Sequence, residues 1–544
     1  MPTVVNIKTF IKLLLLPCCI ILFGCSKSFV HTVQQVPPPT TTIATTPNYA
    51  DSTIVIAAGT HYNRSKLHTF FYGKHYRPTW TTPVEVNVLD IGTAKGGLSP
   101  IKQGGSRQTI NLRLEDSTGT EYVLRSVDKE PASSLPEWLQ QSYIADIVRD
   151  ATSATHPYAA LTIHGMAEAI GIYHVVPELV YVPHDARLGE FEKNIGGMLA
   201  ILERRPNGDQ SDNPRMGYAP DVKSTRSMLE HRLAHNDNGI DERMFLRARL
   251  FDMLIGDWSR HEDNWRWAKF EKEKGLTYKP VPRDRDNVYY KLNDAPIPWL
   301  FMKLGFKSQY HTYRHNLTDV KDLNRSGRNL DEIILGDLEF SEWQEIADSV
   351  KHELTDEVIE KAFRSMPDTI YKLSAGPIIA KLKSRRDQLN RVAKDYYNEL
   401  SDKVYVVGSD KHEKFLIEVL SREEVRVRKY KISKEGEERL LLSDKVYSAR
   451  VTDKIQLYGL GGDDHFIVTG SVKPKIKILL WGGAGEDTYT IAEENKKAGK
   501  RVKINDTQYR NTYDVTKSVS VDIDDDLRAK EFDAQGWLLR YYLD

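Results

Sequence analysis

The segment that most constrains this chain joins an apolar helical run to a charge-dense loop and then, about twenty residues on, to an acidic cluster. Glu242 to Ile255 places Leu246, Leu250 and Leu254 at i, i+4 and i+8, the spacing of one buried helix face. Asp257-Trp258-Ser259-Arg260-His261-Glu262-Asp263-Asn264-Trp265 follows, and Pro282-Arg283-Asp284-Arg285-Asp286 supplies the acids. One Asn and two Asp residues at that separation form a donor set for Mg²⁺ or Mn²⁺ on nucleotide phosphates, with a short catalytic loop beside them. Asn264, Asp284 and Asp286 are therefore the candidate metal ligands, and Asp257, Ser259 and His261 the candidate catalytic residues.

The first 25 residues read as an export signal rather than as part of the fold. Lys8 and Lys12 form a short basic region and Leu13 to Phe23 an apolar run, too short for a permanent membrane helix. Leu22-Phe23-Gly24-Cys25 resembles the lipobox of bacterial lipoproteins, which implies lipidation at Cys25. The only cysteines are Cys18, Cys19 and Cys25, so cleavage before Cys25 leaves one cysteine and no intrachain disulfide. Stability must then come from burial, for which about 500 residues are ample. Ser26 in place of an Asp points to the outer membrane, on its periplasmic face.

Removing residues 1–24 takes away Lys8 and Lys12, which leaves 74 of the 76 basic residues against 76 acidic ones. A net charge near −2 with no basic block argues against a nucleic-acid partner.

Residues 26–50 carry Pro37-Pro38-Pro39 and a Thr-rich run without hydrophobic periodicity, the composition of a flexible linker. Gln108 to Leu114 and Glu121 to Val127 alternate around Asp116-Ser117-Thr118-Gly119, as a hairpin does. From Leu139 the pattern turns helical, with Tyr143, Ile144, Ile147 and Val148 on one face and a packed apolar run from Ala159 to Ile170. Tyr173 to Val182 and Met198 to Leu202 read as strands. Thr355 can cap a helix over 356–363, and Pro377 can open one running to Tyr397. Near residue 401 short β-branched runs bounded by Gly and Asp take over: 404–407, 415–419, 425–431, 455–458 and 476–480.

Ser259-Arg260-His261-Glu262-Asp263-Asn264 resembles the catalytic loops of atypical kinases, the Asp-Arg-His-x-x-Asn of phosphatidylinositol kinases and the Asp-x-His-x-x-Asn of HipA-like kinases. The Asp-x-Asp of Asp284 and Asp286 is similar to that of CotH-type spore-coat kinases. The resemblance implies a metal-binding role for Asn264 and for Asp284 or Asp286, and a structural or phosphate-facing role for His261. It puts Ser259 where the catalytic Asp belongs. A Ser hydroxyl is no general base near neutral pH without a partner; Asp257, two residues earlier, is the nearest carboxylate before it, but register argues against it.

Gly104-Gly105 before the first hairpin can lie over phosphates through backbone N–H groups or be an ordinary turn. Arg125, with Lys129 as the alternative, stands where kinases carry their nucleotide-binding Lys, and Asp146, Asp150 or Glu168 are candidates for its acidic partner. Glu203-Arg204-Arg205-Pro206 resembles the hinge between kinase lobes.

The stretch from Gly59 to Asp286 is also similar to a domain of Bacteroidota envelope proteins, through Gly73-Lys74-His75-Tyr76-Arg77, Arg125-Ser126-Val127-Asp128-Lys129 and Gly256-Asp257-Trp258-Ser259-Arg260-His261-Glu262-Asp263. Some relatives of that kind continue into a surface-antigen-type outer-membrane barrel. An envelope protein or such a barrel is accordingly an expected partner.

The expected fold is thus α+β: a two-lobed protein-kinase-like domain over 51–400, followed by a β-rich domain over 401–544. Ser259, Arg125 and a compartment poor in ATP favour a pseudokinase or binding scaffold at the outer membrane. An active atypical phosphotransferase using a nucleotide and a divalent metal is the alternative. In the C-terminal domain, Gly459 to Phe466 and Gly482 to Tyr489 are related segments. The second fits the Gly-Gly-x-Gly-x-Asp-x-apolar turn that binds Ca²⁺ in parallel β-rolls, with Asp463 and Asp487 as the carboxylates. Glycine turns in a β-sandwich are the competing reading. Trp258, Trp265 and Trp267 are expected in the core. His61, His68 and His75, seven apart, share a face that could hold a metal.

Overall fold

The computed structural model describes residues 33–38, 47–104, 108–303, 310–508, 510–524, 532 and 534; Cys25 and Gly105 lie outside them. Strands β1 (Thr53–Ile56), β2 (Val84–Val88), β3 (Leu98–Gly104), β4 (Asn111–Asp116), β5 (Glu121–Ser126), β6 (Glu178–Val182) and β7 (Met198–Arg204) form one sheet in the order β1-β2-β6-β7-β5-β4-β3. All neighbours in it run antiparallel except β2 and β6. The hairpin read around Asp116 is β4–β5, and the Asp116 carboxylate accepts the N–H groups of Thr118 and Thr120. One face packs Leu112, Leu114, Leu124, Met198 and Leu202 into a closed apolar cluster.

The run from Tyr173 is shorter than its β-branched composition suggests. Only Glu178–Val182 is a strand; His174 N–H bonds to Arg215 O instead of a ladder partner, and Pro177 has no N–H to give.

Below the sheet lies a helical lobe around the Glu242–Ile255 helix. Asp241 caps its start by accepting Met244 N–H, and Gly256 ends it in a left-handed conformation. Ten of its fourteen residues are buried, against the Phe340–Glu353 helix among others. A small sheet of β8 (Asp221–Ser224), β9 (Gly239–Ile240), β10 (Trp265–Glu271) and β11 (Leu276–Pro282) flanks it in the order β8-β10-β11-β9. Trp265 and Trp267 are fully buried beside Phe245, and Trp258 packs on Tyr290 and Tyr310. Thr355 caps Asp356–Phe363 as expected. The run opened by Pro377 is two helices, Gly376–Asp387 and Leu389–Ser401, because Gln388 (φ −93°, ψ 1°) leaves helical geometry between them.

Residues 33–38 depart from the flexible-linker expectation. Gln34 N–H donates to Asp128, Val36 N–H to Gly197 O, and Gln35 bonds to Asn194 O and Gly196 O. His184 Nε2 meets Val36 O at 2.8 Å. Polar backbone without periodicity can still dock where carbonyls and a carboxylate are left open.

The C-terminal domain is neither sandwich reading nor a pair of isolated turns. Two sheets alternate along the chain. One holds β12 (Lys403–Ser409), β16 (Lys454–Gly461), β18 (Lys477–Ala484), β20 (Val502–Asp506) and β22 (Ser520–Ile523), all parallel. The other stacks β13 (Glu413–Val419), β17 (His465–Thr469), β19 (Thr488–Ile491) and β21 (Thr512–Val515) in parallel, with β14 (Glu424–Ile432) and β15 (Glu438–Ser448) folded antiparallel onto β13. The result is a parallel β-roll whose equivalent positions stack. Phe415, Phe466, Tyr489 and Tyr513 form an aromatic ladder with ring centroids 4.7, 5.1 and 5.4 Å apart. The roll docks on the helical lobe through Asp410 N–H to Leu233 O, Asn236 to Glu413 and Lys445 to Leu338 O.

Both Gly/Asp turns lie at the corners of this roll. Their carboxylates are spent on the stack rather than gathered on one point. Asp464 Oδ1 accepts Glu413 N–H, Asp487 Oδ1 accepts Asp464 N–H, and Asn511 Oδ1 accepts Asp487 N–H, one coil after another. Asp463 Oδ1 likewise accepts Glu486 N–H. The Ca²⁺ expectation for Asp463 and Asp487 thus meets oxygens already used as backbone acceptors. Asp487 Oδ2 is buried beside Asp506, whose Oδ2 accepts the Tyr489 hydroxyl at 2.6 Å. Burial, reinforced by Asp506 and Asp463, pushes the Asp487 carboxyl up to about 8 against the opposing Asp464 N–H.

A group held protonated in the fold but ionised in the unfolded chain stabilises at low pH and loses that contribution as pH rises through its folded value. Chemical denaturation should therefore show the β-roll weakening across the interval that ends near pH 8. Asp487→Asn should flatten that dependence, since Asn511 already fills the equivalent position one coil on.

Candidate functional site

Sheet geometry brings the candidate cofactor-binding cations to one cleft. Arg125 pairs across with Ile201, which leaves Glu203 as its diagonal neighbour on the same face of β7. Arg125 Nη2 binds Glu203 Oε1, and Nη1 binds Asp284 Oδ1 at 2.5 Å. Lys129, just past β5, binds Asp286 at 2.6 Å. The acidic partner of Arg125 is therefore Glu203 with Asp284, none of the three expected acids. Asp150 is instead committed to Arg77 and His68, and Asp146 to Arg149; Glu168 is exposed. Glu203 was legible only as part of a hinge-like tetrapeptide. Its role depends on a strand pairing that no local pattern reveals.

Asp284 follows β11 with φ +60°, a left-handed conformation unusual for a non-glycine residue. That turn aims its carboxylate at Arg125. Burial acts to raise the Asp284 carboxyl, but Arg125 and then Lys129 hold it below its ordinary range. Burial dominates at Glu203 and raises it despite Arg125. The cavity between β5, β7 and this turn measures about 70 Å³. Thr109 borders it from the side of the β3–β4 connection, where Gly104 ends β3. Three histidines missed in the sequence, His156, His164 and His174, border it as well. Burial lowers all three, His156 to about 3.

The catalytic-loop residues are organised from behind the cleft. Asp252, fully buried on the Glu242–Ile255 helix, receives Arg249 at 3.1 Å, Arg260 at 3.2 Å and Arg285 at 2.7 Å. Arg260 continues to Asp257, Arg283 O and Asn264 O and lies 4.7 Å over the Trp265 ring. Arg249 continues to Asp331 at 2.7 Å. Burial would raise the Asp252 carboxyl, but Arg260, Arg285 and Arg249 together pull it below the usual value.

Within that frame Asp257 is 1 % exposed, paired with Arg260, and accepts Ser259 N–H. It faces the interior of the loop, which corrects its reading as a stand-in catalytic base. Burial pushes it up to about 7, with Arg260 opposing and Asp252 adding. Asn264 is buried, and its amide donates to Ser259 O at 2.5 Å. His261 starts the short Glu262–Asn264 turn and is half-buried. Asp284 and Asp286 line the cavity; Asp257, Ser259, His261 and Asn264 do not. The structure therefore unites Arg125, Lys129, Asp284 and Asp286, and ties the Asp257–Asn264 loop to the same turn, with Asn264 O accepting the N–H of Arg283 at 3.1 Å. His61, His68 and His75 also separate: His61 lies near Asp128, His68 binds Asp150, and His75 meets Ser153 and Asp294.

A sheet bearing the cation on β5, a helical lobe beneath it and an acid-bearing turn facing the cation make up the two-lobed, kinase-like arrangement. The fold is α+β. No known protein family and no curated protein matches the chain. Among solved structures it is similar to the Helicobacter pylori proinflammatory kinase CtkA, at 10 % identity and TM-score 0.25, covering 54 % of this chain and 95 % of that one. It is also similar to the Shewanella oneidensis HipA toxin–antitoxin complex with HipB and operator DNA, at 12 % identity and TM-score 0.26, covering 56 % and 75 %. A third is the Rio2 kinase–ADP/Mg²⁺–phosphoaspartate complex from Chaetomium thermophilum, at 11 % identity and TM-score 0.22, covering 54 % and 71 %. At these TM-scores the likenesses add nothing to the reading of the site, which rests on the contacts above.

Removing one partner from a buried ion pair strands the other, at a cost of about 3 kcal/mol or more. Arg125→Gln, which strands both Glu203 and Asp284, should lower unfolding free energy on that scale, and Glu203→Gln by less, since Arg125 keeps Asp284. The double variant should lose clearly less than the sum, the signature of direct coupling in a double-mutant cycle.

Proposed function

We propose that this chain is a pseudokinase-type binding scaffold carried on the outer membrane by a lipid on Cys25, with the domain on the periplasmic side. The observation that carries the reading is the self-closure of the cleft. Arg125 and Lys129 bind Asp284 and Asp286, so the cations suited to phosphates and the acids suited to a metal neutralise one another. A Mg²⁺–nucleotide would have to break both pairs and recover their energy. Asp257, the carboxylate nearest Ser259 in sequence, is buried against Arg260 and so is not free to replace the missing base. The docking of residues 33–38 supports the membrane reading. About eight residues separate Cys25 from Val33, a reach of at most about 28 Å, which would hold the domain close to the bilayer.

Under this reading ATP with Mg²⁺ or Mn²⁺ produces no thermal shift. A nucleotide bound at 100 times its Kd would add about 2.7 kcal/mol. A clear shift that disappears in Asp284→Ala or Asp286→Ala would contradict the scaffold reading and establish the phosphotransferase alternative, with the acids as metal ligands. Anchoring is checked separately by metabolic palmitate labelling: wild type should be labelled and fractionate with the outer membrane. Label retained in Cys25→Ala would remove the lipid anchor from the account.

A further inference from the structure

Away from the cleft, the loop that leads into the short Val320–Leu323 helix gathers a separate set of ligating groups. One donor atom each of His311, Asp319 and Asp322 lies within 4.8 Å of the other two, and all three side chains are half-buried. Asp319 caps the helix by accepting Asp322 N–H on Oδ1 at 3.0 Å, which fixes the two carboxylates one helical turn apart and leaves Oδ2 uncommitted. His311 Nε2 is shut off from solvent and has no hydrogen-bond partner among the described residues. A buried imidazole nitrogen is ordinarily satisfied, so this one points to a missing ligand.

A second, independent observation concerns the same cavity, which measures about 120 Å³ and is bordered by all of His311, Asp319, Arg314 and Arg385. Arg385 is 6 % exposed and stacks over the Tyr313 ring at 4.4 Å. Beyond its contact with Tyr313, its Nε and Nη1 meet no acceptor among the described residues. Residues bordering the cavity therefore carry an imidazole nitrogen that suits a cation and guanidinium N–H donors that suit an anion. Asp319 and Asp322 offset Arg314 and Arg385 in formal charge, so a bound divalent ion would leave the cavity positive and favour an anionic ligand on the ion.

We propose that His311, Asp319 and Asp322 bind one divalent transition-metal ion, and that a small oxyanion completes its shell against Arg385. One imidazole and two carboxylates suit Zn²⁺, Mn²⁺ or Co²⁺ better than Ca²⁺ or Mg²⁺, which take oxygen ligands throughout. Ligands at about 2.0–2.2 Å from a tetrahedral ion stand roughly 3.4 Å apart, a contraction within reach of small side-chain rotations. The site is independent of the cleft acids Asp284 and Asp286.

Co²⁺ titration of the purified full chain, followed by its visible d–d spectrum and by calorimetry, tests this. One ion should bind at micromolar Kd or tighter, and inorganic phosphate should shift the band. His311→Ala and Asp322→Asn should each weaken binding at least tenfold, whereas Asp284→Ala should leave it unchanged. Because Asp319→Asn can keep the helix cap, its loss of binding should come without loss of thermal stability in the metal-free protein. Binding that survives both His311→Ala and Asp322→Asn, or a spectrum indifferent to phosphate, would overturn the proposal.

Discussion

Asp252 is the point on which the functional half of the molecule is assembled. A carboxylate with no solvent exposure is costly unless it is paired and hydrogen-bonded, and here three arginines from three segments converge on it. Arg249 lies on its own helix, Arg260 on the loop that follows, and Arg285 on the turn after β11. With Asp257 and Asp331 included, three carboxylates balance three guanidiniums. Such a network adds little net stability over a well-packed apolar core, but each member is expensive to remove singly. Its effect is to fix the relative positions of the 257–264 loop and the 283–286 turn before any ligand arrives.

That fixed turn is what closes the cleft. Arg285 points back to Asp252, while its neighbours Asp284 and Asp286 point forward to Arg125 and Lys129. The Arg-Asp-Arg-Asp alternation thus has a physical meaning: successive charges serve opposite sides of one turn, with the positive φ of Asp284 producing the change of direction. The same economy recurs in the β-roll, where carboxylates of Asp464 and Asp487 satisfy backbone N–H groups of neighbouring coils. In both domains acids that resemble ligands are also structural members.

Much of this was visible in the sequence. The Glu242–Ile255 helix, the β4–β5 hairpin and the change to β structure near residue 401 follow from periodicity and turn chemistry, which act over a few residues. Arg125, Lys129, Asp284 and Asp286 were identifiable because their spacing resembles a kinase cleft. Glu203 and Asp252 were not, since their roles depend on strand pairing and on arginines up to 33 positions away. Nor does spacing distinguish an Asp that binds an ion from one that accepts an N–H in the next coil. Asp257 shows the same limit. One residue separates it from Ser259, yet the loop turns its carboxylate to Arg260.

Hydrogen exchange on Asp252→Asn probes the central claim most directly. If Asp252 fixes both segments, amides of 257–264 and 283–286 should lose protection together, while the β-roll at 454–491 keeps its own. Unchanged protection in those two segments, or loss in only one of them, would contradict the assignment of Asp252 as the group that holds them in place.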